Sequence, residues 1–222
     1  MMCKFESCCA HFFNYYNTML LKIHSQGIEQ KQIEEICDSL NKGGVIIYPT
    51  DTVYAFACKL GNMKASQRLA ALKGKKFEKS EFSIVCHSIS QASEFVKPLS
   101  NNLFKFLKEN TPGAFTFVFQ ASTKIPKILQ TNKKTIGIRI PDNEIALKIV
   151  EELDYPLITS SLPTQDLELE CFTNPEYFDD LYGNKVDIII DNGLGNEYTS
   201  TVIDLTSGEI EIIREGLGKL KN

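Results

Sequence analysis

The sequence lacks the features that mark several common protein classes. It has no apolar run approaching the roughly eighteen residues that a membrane-spanning helix needs, so a membrane protein is not expected. Its amino terminus lacks the continuous apolar centre and small-residue cleavage site of a secretion signal. It also has no internal repeat, low-complexity tract or Pro/Gly/Ser-rich linker. These absences favour one globular domain.

Cysteine and histidine usage argues against a disulfide framework and a zinc site. The seven cysteines are an odd number and contain no Cys-x-x-Cys pair. The histidines, His11, His24 and His87, are not grouped at metal-ligand spacing. Cys58 and Cys86 fall in apolar runs, where a reduced cysteine acts as a small core residue. This pattern predicts a cytoplasmic protein without a metal cage of its own.

Length and charge narrow the remaining classes. The chain has 222 residues, 43% of them hydrophobic, which is compatible with one large α/β domain. A net charge of −4 argues against a protein that coats nucleic acid non-specifically. The charges are segregated, however: residues 59–79 hold seven basic residues and one acidic residue, whereas residues 165–181 hold six acidic residues and no basic one. A polyanion should therefore meet residues 59–79.

Residues 1–18 differ from the rest of the chain. They carry Cys3, Cys8, Cys9 and an aromatic cluster, and a cleaner segment begins at Met19. We expect residues 1–18 to be a flexible extension or the product of an over-extended start, and residues 19–222 to be the folded domain.

Hydrophobic periodicity predicts helices alternating with strands. Helices are expected over three amphipathic segments and after three N-cap residues: residues 28–42, 63–73 and 144–153, and after Ser90, Ser100 and Asn174. Strands are expected at residues 45–48, 82–86, 115–120, 135–140, 157–160, 186–190, 201–205 and 209–213. A Ser207-Gly208 turn joins the last two strands as a hairpin. The predicted fold class is α/β, with a twisted sheet of mixed parallel and antiparallel strands flanked by helices.

The most informative segment runs from a buried strand into a polar turn. Residues 45–48 are apolar or aromatic and follow a Gly-Gly pair, which is typical of a buried strand. Pro49 cannot donate to a sheet ladder, so pairing should weaken there and leave Thr50, Asp51 and Thr52 to point at a ligand. The alternative is that these side chains bond their own turn or cap a helix.

Cations at three places could contact an anion. Residues 72–79 place lysines around a glycine without forming a Walker loop, and the alternative is a solvated lysine face. Arg139 lies inside an apolar strand, where a buried charge needs either a ligand or a carboxylate such as Asp191 or Asp204. Arg214 offers a fork suited to phosphate or carboxylate.

Hydroxyl groups gather at two further strand ends, residues 159–161 and 199–201. Taken singly, such triplets commonly satisfy only the local backbone. Taken in chain order with the segments above, they form a more specific set. That set is Pro49-Thr50-Asp51-Thr52-Val53-Tyr54, Lys73-Gly74-Lys75, Pro112-Gly113, Gly137-Ile138-Arg139-Ile140-Pro141, Ser160-Ser161, Ser200-Thr201-Val202-Ile203-Asp204 and Arg214-Glu215-Gly216.

The ordered set resembles the YrdC-like domain family, and within it the YciO-like branch. The resemblance covers about residues 20–217 and implies a twisted mixed sheet with a concave, positively charged cavity. It also implies threonylcarbamoyl-AMP synthase chemistry, in which L-threonine, bicarbonate and ATP give threonylcarbamoyl-AMP and pyrophosphate. That reaction is the first step towards N6-threonylcarbamoyladenosine in tRNA. ATP would be a substrate, with Mg²⁺ bound through the nucleotide.

The same resemblance implies the roles of individual residues. Threonine would be held by Thr52, Arg139, Ser161 and Ser200. The nucleotide would be held by Lys73, Lys75, Thr159, Ser161 and Arg214. The catalytic cations would be Lys73, Lys75 and Arg139. Adenylation needs no protein nucleophile, only an in-line carbamate and cations that offset the growing negative charge.

Several positions depart from the synthase pattern. Where synthases have Asn-Pro-Leu with a downstream His, this chain has residues 81–83 (Glu-Phe-Ser) leading to Cys86. Where they have Ser-Ala-Asn, it has residues 161–163 (Ser-Leu-Pro), and Lys75 and Ala55 replace an Arg and a Gly. The substituted His and Asn would otherwise contact threonine and nucleotide.

Two alternative functions follow from these departures. One is an RNA-binding module that holds tRNA or double-stranded RNA on the basic 59–79 face. The other is an enzyme of the same fold that adenylates or carbamoylates another acceptor. A monomer and a homodimer are both compatible with the sequence.

Overall fold

A computed structural model of the protein describes residues 18–24, 27–74, 82–126, 129, 134–164 and 167–221. Apolar strands in these residues assemble into a ten-stranded sheet. The strands are β1 (Met19–Lys22), β2 (Val45–Tyr48), β3 (Ala55–Lys59), β4 (Ser83–Val85), β5 (Phe115–Gln120), β6 (Thr135–Arg139), β7 (Leu157–Ser161), β8 (Ile188–Asp191), β9 (Thr201–Asp204) and β10 (Glu211–Arg214). Their spatial order is β1-β8-β2-β3-β7-β4-β6-β5-β9-β10. The mixed sheet of the predicted α/β class is confirmed: β1/β8, β2/β8, β4/β6 and β5/β9 are parallel, and the other pairs are antiparallel.

Helices lie on both faces of the sheet. They are α1 (Gln30–Asn41), α2 (Met63–Leu72), α3 (Ile89–Ser93), α4 (Asn101–Asn110), α5 (Glu144–Leu153), α6 (Glu170–Thr173), a 3₁₀ helix (Pro175–Tyr177) and α7 (Phe178–Tyr182). The three predicted amphipathic helices are confirmed as α1, α2 and α5. None of the helices in the described part of the chain combines the length and apolarity needed to cross a bilayer.

Two of the three predicted N-caps are confirmed. The hydroxyl of Ser100 accepts a hydrogen bond from the backbone of Leu103, and Asn174 caps the 3₁₀ helix. The prediction of Ser90 is wrong, because α3 begins one residue before it and Ser88 is the cap. Ser88 has the extended backbone that an N-cap requires, whereas Ser90 already lies within the helix.

The predicted strands are all present, but β1 and β3 were not predicted. β3 is rich in alanine and has no β-branched residue, so its sequence gives little strand signal. Burial explains it instead: β3 pairs on both sides, with β2 and β7, and residues 55–58 are fully buried. Of the predicted extension, residues 1–17 lie outside the described part. Thr18 is bonded to the domain, donating to the Val186 carbonyl at 2.9 Å.

One face of the sheet is covered by helices over only part of its width. On this face, α1 and α5 pack over a buried cluster that includes Ile46, Tyr48, Ala57, Val85 and Leu157. We call this region the covered half. The opposite face packs α2, α3, α4, α6 and α7 over a second buried cluster.

The rest of the same face carries no helix in the described part of the chain and is called the open half. Strand register places it beside the covered half, since Ser83 lies two residues from Val85 on β4 and pairs with Thr159 and Gly137. Thr116 and Val202 continue this face on β5 and β9. Small and hydroxyl side chains therefore replace the large apolar ones where the helices stop.

Candidate active site

A cavity of about 690 Å³ lies over the open half. This volume falls within the range of small-molecule sites. Six of the predicted site residues line it together: Lys73, Arg139, Thr159, Ser161, Ser200 and Arg214. They come from the C-terminal end of α2, from β6, β7 and β10, and from the residue before β9, so residues distant in sequence share one cavity. Lys75 lies outside the described residues, and Thr52 lies behind Arg139 rather than in the cavity wall.

A larger depression of about 840 Å³ lies between α1 and α2. Its wall contains both acidic and basic side chains, and the guanidinium of Arg68 is paired there with Asp187 at 2.9 Å. None of the predicted site residues lines it. The cavity over the open half is therefore the candidate site.

Arg139 forms the buried end of the cavity and is only 4% exposed. Its Nη2 donates to Asp51 Oδ1 at 2.7 Å and to Thr52 Oγ1 at 3.0 Å. Of the two alternatives, the structure shows a carboxylate partner, but it is Asp51 rather than Asp191 or Asp204, which each accept from a backbone amide of the turn that follows them. Arg139 Nε is buried and has no hydrogen-bond partner among the described residues. A buried donor of this kind invites a ligand oxygen or a water molecule.

The polar turn after β2 faces Arg139 rather than open space. Asp51 Oδ2 accepts from the backbone amide of Asp142 at 3.0 Å, while Oδ1 pairs with Arg139. Thr50 Oγ1 accepts from the Thr52 amide and donates to the Val53 carbonyl, so it bonds its own turn. The prediction that all three polar residues point at a ligand is therefore wrong for Thr50 and Asp51. A role for Thr52 in binding threonine stays a prediction.

Two further cations stand at the rim of the cavity, each held by a backbone carbonyl. Lys73, which ends α2, donates from Nζ to the Ser161 carbonyl at 2.6 Å. Arg214 donates from Nη2 to the Ser200 carbonyl at 2.9 Å. Partial burial, with a smaller contribution from the charge of Arg139, lowers the pKa of Arg214. An anion in the cavity would relieve this repulsion.

The hydroxyl groups of the cavity are unequally available to a ligand. Thr159 Oγ1 donates to the Phe56 carbonyl at 3.2 Å and also bonds the phenol of Tyr48 at 2.9 Å, so its proton is already used. Burial is the main cause that raises the pKa of Tyr48, which keeps that phenol protonated. Ser200 Oγ bonds Thr116 Oγ1 at 2.7 Å, and this pair retains a proton that can turn to a ligand.

Sequence reasoning missed three residues of the cavity floor. They are Ser83, Thr116 and Gly137. A side chain at Gly137 would place Cβ 2.5 Å from Ser83 Oγ, so glycine keeps the floor open. For Thr116 and Gly137 the signal was the alternation in β5 and β6, where each of these two residues stands between two bulky apolar ones. Ser83, on the three-residue strand β4, had no such signal.

The described part of the basic 59–79 run does not form one face. Lys59 donates to Asn41 Oδ1 at 2.6 Å and lies over the ring of Tyr155. Arg68 pairs with Asp187, whereas Lys73 turns into the cavity. RNA binding through this run stays a prediction.

The described residues contain no group of three or more His, Cys, Asp or Glu that could hold a metal ion. Cys58 and Cys86 are buried as predicted, and desolvation raises the pKa of both thiols.

Residues 38–216 match the family model for Sua5, YciO and YrdC proteins, which is described as Telomere recombination. The chain belongs to this family. It is 38% identical over 197 residues to a Haemophilus influenzae protein named only as uncharacterized, covering 88% of this chain and 94% of that one. The crystal structure of Escherichia coli YciO superposes with a TM-score of 0.85 at 33% identity, covering 92% of this chain and 98% of that chain.

More distant members carry functional names. A Coxiella burnetii threonylcarbamoyl-AMP synthase is 28% identical over 187 residues, covering 81% of this chain and 96% of that protein. The crystal structure of P. abyssi Sua5 complexed with L-threonine has a TM-score of 0.78 at 25% identity, covering 90% of this chain and 58% of that chain. The family placement on the YciO-like branch, made from sequence, is confirmed.

Proposed function

We propose that the protein is a threonylcarbamoyl-AMP synthase-like nucleotidyltransferase acting in tRNA modification. It would condense L-threonine and bicarbonate to a carbamate and transfer AMP from ATP to it. The observation that carries the proposal is Arg139, a buried cation with an unpartnered Nε, in one cavity with Lys73 and Arg214.

The cavity supplies what this chemistry requires. A carbamate oxygen attacks the α-phosphorus, the bond to the bridging oxygen breaks, and pyrophosphate leaves. The protein needs to hold the reactants in line and to balance negative charge. Arg139 suits the threonine carboxylate, because a guanidinium fork matches carboxylate geometry. Lys73 and Arg214, at the rim, suit the phosphates.

The named family members support this choice of substrates. One is called a threonylcarbamoyl-AMP synthase, and another was crystallised with L-threonine. The relatives from Haemophilus influenzae and Escherichia coli that are 38% and 34% identical are named without an activity, so their names support the synthase and the alternatives equally.

ATP would bring Mg²⁺ with it. The described part of the cavity wall contains hydroxyls and cations but no carboxylate. Such a wall does not fit a protein-held Mg²⁺, which prefers carboxylate and water oxygens. Phosphate oxygens and water would therefore hold the ion, and its chemistry is to neutralise the phosphates.

Part of the departure from the synthase pattern lies in the cavity wall. Pro163 lines it where synthases have an Asn, and the apolar side chains of Phe82 and Leu162 line it as well. We expect weaker binding of threonine or nucleotide than a full synthase has, with the anion-binding cations retained.

Pyrophosphate release tests the function directly. The wild-type protein should release pyrophosphate only when L-threonine, bicarbonate and ATP are all present. Arg139→Gln and Lys73→Ala should each lower the rate about 100-fold, the cost of removing one group that stabilises developing charge. Lys64→Ala removes an exposed lysine from the same basic run, outside the cavity, and should change the rate less than about twofold.

A wild type that binds ATP but releases no pyrophosphate with these substrates would contradict the synthase assignment. Release with a different amino acid would instead identify another acceptor. Salt-sensitive RNA binding without threonine dependence would favour the RNA-binding module.

A further inference from the structure

We propose that Asp51 and Thr52 are positioning residues, which act on the ligand by fixing the guanidinium of Arg139. The proposal rests on the proposed function in one respect only: the ligand that Arg139 receives is taken to be the threonine carboxylate. Neither residue lines the cavity, although both bond Arg139, a buried cation that does.

Arg139 is held by a single nitrogen. Nη2 carries two protons, and Asp51 and Thr52 each accept a hydrogen bond from it. The side chains of Arg139 and Asp51 are 5% and 9% exposed, so water competes little for this pair. Nε and Nη1 bond neither Asp51 nor Thr52, so these two nitrogens form the part of the guanidinium that a ligand meets.

The hydroxyl of Thr52 has no proton left for a ligand. Thr50 Oγ1 lies 2.9 Å from the Val53 carbonyl, to which it donates its own proton. The 3.0 Å contact between Thr50 Oγ1 and Thr52 Oγ1 is then a bond donated by Thr52. Thr52 accepts from Arg139 at the same oxygen and is completely buried. Its role is therefore exerted through Arg139.

Asp51 also connects Arg139 to other elements of the domain. Oδ2 accepts from the Asp142 amide, one residue before Asn143, the N-cap of α5. The carboxylate thus joins the turn after β2, the end of β6 and the entry to α5. A cation whose carboxylate partner is tied to three elements presents one geometry to a ligand.

Stability alone gives a weak reason for this pair. Burying two charges costs desolvation energy that their attraction only partly returns, so buried ion pairs often do not stabilise a fold. The unpartnered Nε adds a further cost. Both costs are understandable if the pair exists to keep the remaining donors ready for a carboxylate.

The ¹H–¹⁵N resonance of Arg139 Nε reports its position without turnover, and Arg139→Lys assigns it by its loss. Asp51→Asn and Thr52→Val keep side-chain size while changing the bonds to Nη2, so each should shift or broaden this resonance with backbone signals outside the site unchanged. Thr52→Ser keeps the hydroxyl and should retain the wild-type resonance. An Arg139 resonance unmoved by both Asp51→Asn and Thr52→Val would overturn the proposal.

Threonine affinity separates positioning from direct contact. Asp51→Asn and Thr52→Val should each weaken L-threonine binding roughly 10- to 100-fold and leave ATP binding unchanged. In an Arg139→Gln background the same substitutions should have no further effect, because the group they position is gone. Full additivity would mean direct contact and would contradict positioning through Arg139.

The two proposals fail separately. If threonine binds and the substitutions have no further effect in the Arg139→Gln background, but no pyrophosphate is released, the synthase function is contradicted. The positioning role of Asp51 and Thr52 then stands. If pyrophosphate is released but the Arg139 Nε resonance does not respond to Asp51→Asn or Thr52→Val, the positioning role is contradicted. The synthase function then stands.

Discussion

The covered and open halves of one sheet face share strands β4 and β7 and differ in side-chain size. β4 places Val85 under α1 and α5, and Ser83, two residues away, at the cavity floor. β7 does the same with Leu157 and Thr159. The site therefore begins where large apolar residues give way to small polar ones. The two halves show that a single strand can serve packing at one end and ligand access at the other.

The cations of the cavity differ in burial and in the groups that hold them. Arg139 lies next to the covered half, where buried side chains anchor it, whereas Lys73 and Arg214 at the rim each donate to a backbone carbonyl. A buried, anchored group can set geometry, and rim groups can adjust to a larger ligand. This contrast suits a small carboxylate inside and flexible phosphates outside.

Removing packing from the covered half should have the largest effect on stability. Ile149 of α5 is fully buried there, so Ile149→Ala should lower the free energy of unfolding by about 2–5 kcal/mol. Lys148→Ala, on the same helix, removes an exposed ion pair with Glu144 and should cost less than about 1 kcal/mol. Denaturant unfolding measures both. A loss below 1 kcal/mol for Ile149→Ala would mean that α5 is not part of the core.

A matched pair of valines should sharpen the contrast between the halves. Val85 is buried in the covered half, whereas Val202 lines the cavity and is half-buried. Val85→Ala should cost about 2 kcal/mol of unfolding free energy, and Val202→Ala less than about 1 kcal/mol. Equal losses, measured by urea unfolding, would show that the open half is packed in solution.

Local patterns were enough to predict most elements. α5 and β5 were predicted with their observed bounds, because an amphipathic period and an alternating strand are both written within ten residues. β3 could not be found this way, since its strand state comes from neighbours on both sides rather than from its alanines. Because β3 was not predicted, the sequence also did not show that residues 49–54 connect the two antiparallel strands β2 and β3.

The sequence indicated several residues that line the cavity, but not the hydrogen bonds that they make. Chain order and family resemblance brought out Lys73, Arg139, Ser200 and Arg214, which do share a cavity. The partner of Arg139 was not recoverable, because Asp51 lies 88 residues away and no local pattern distinguishes it from Asp191. Which hydroxyls keep a free proton likewise depends on distances that the sequence does not contain.

Alkaline pH should produce the smallest effect, again in the covered half. Burial is the main cause that raises the pKa of the Cys37 thiol from its ordinary value of 9.0 to about 11. Above pH 9 the unfolded chain loses this proton while the folded one keeps it, so stability is full below pH 9 and falls as pH rises. Cys37→Ala removes this contribution. Its stability deficit relative to wild type should therefore shrink by about 1 kcal/mol between pH 7 and pH 10, measured by urea unfolding under reducing conditions. A deficit that is the same at both pH values would mean that water reaches the thiol and that the layer between α1 and α5 is looser than its burial implies.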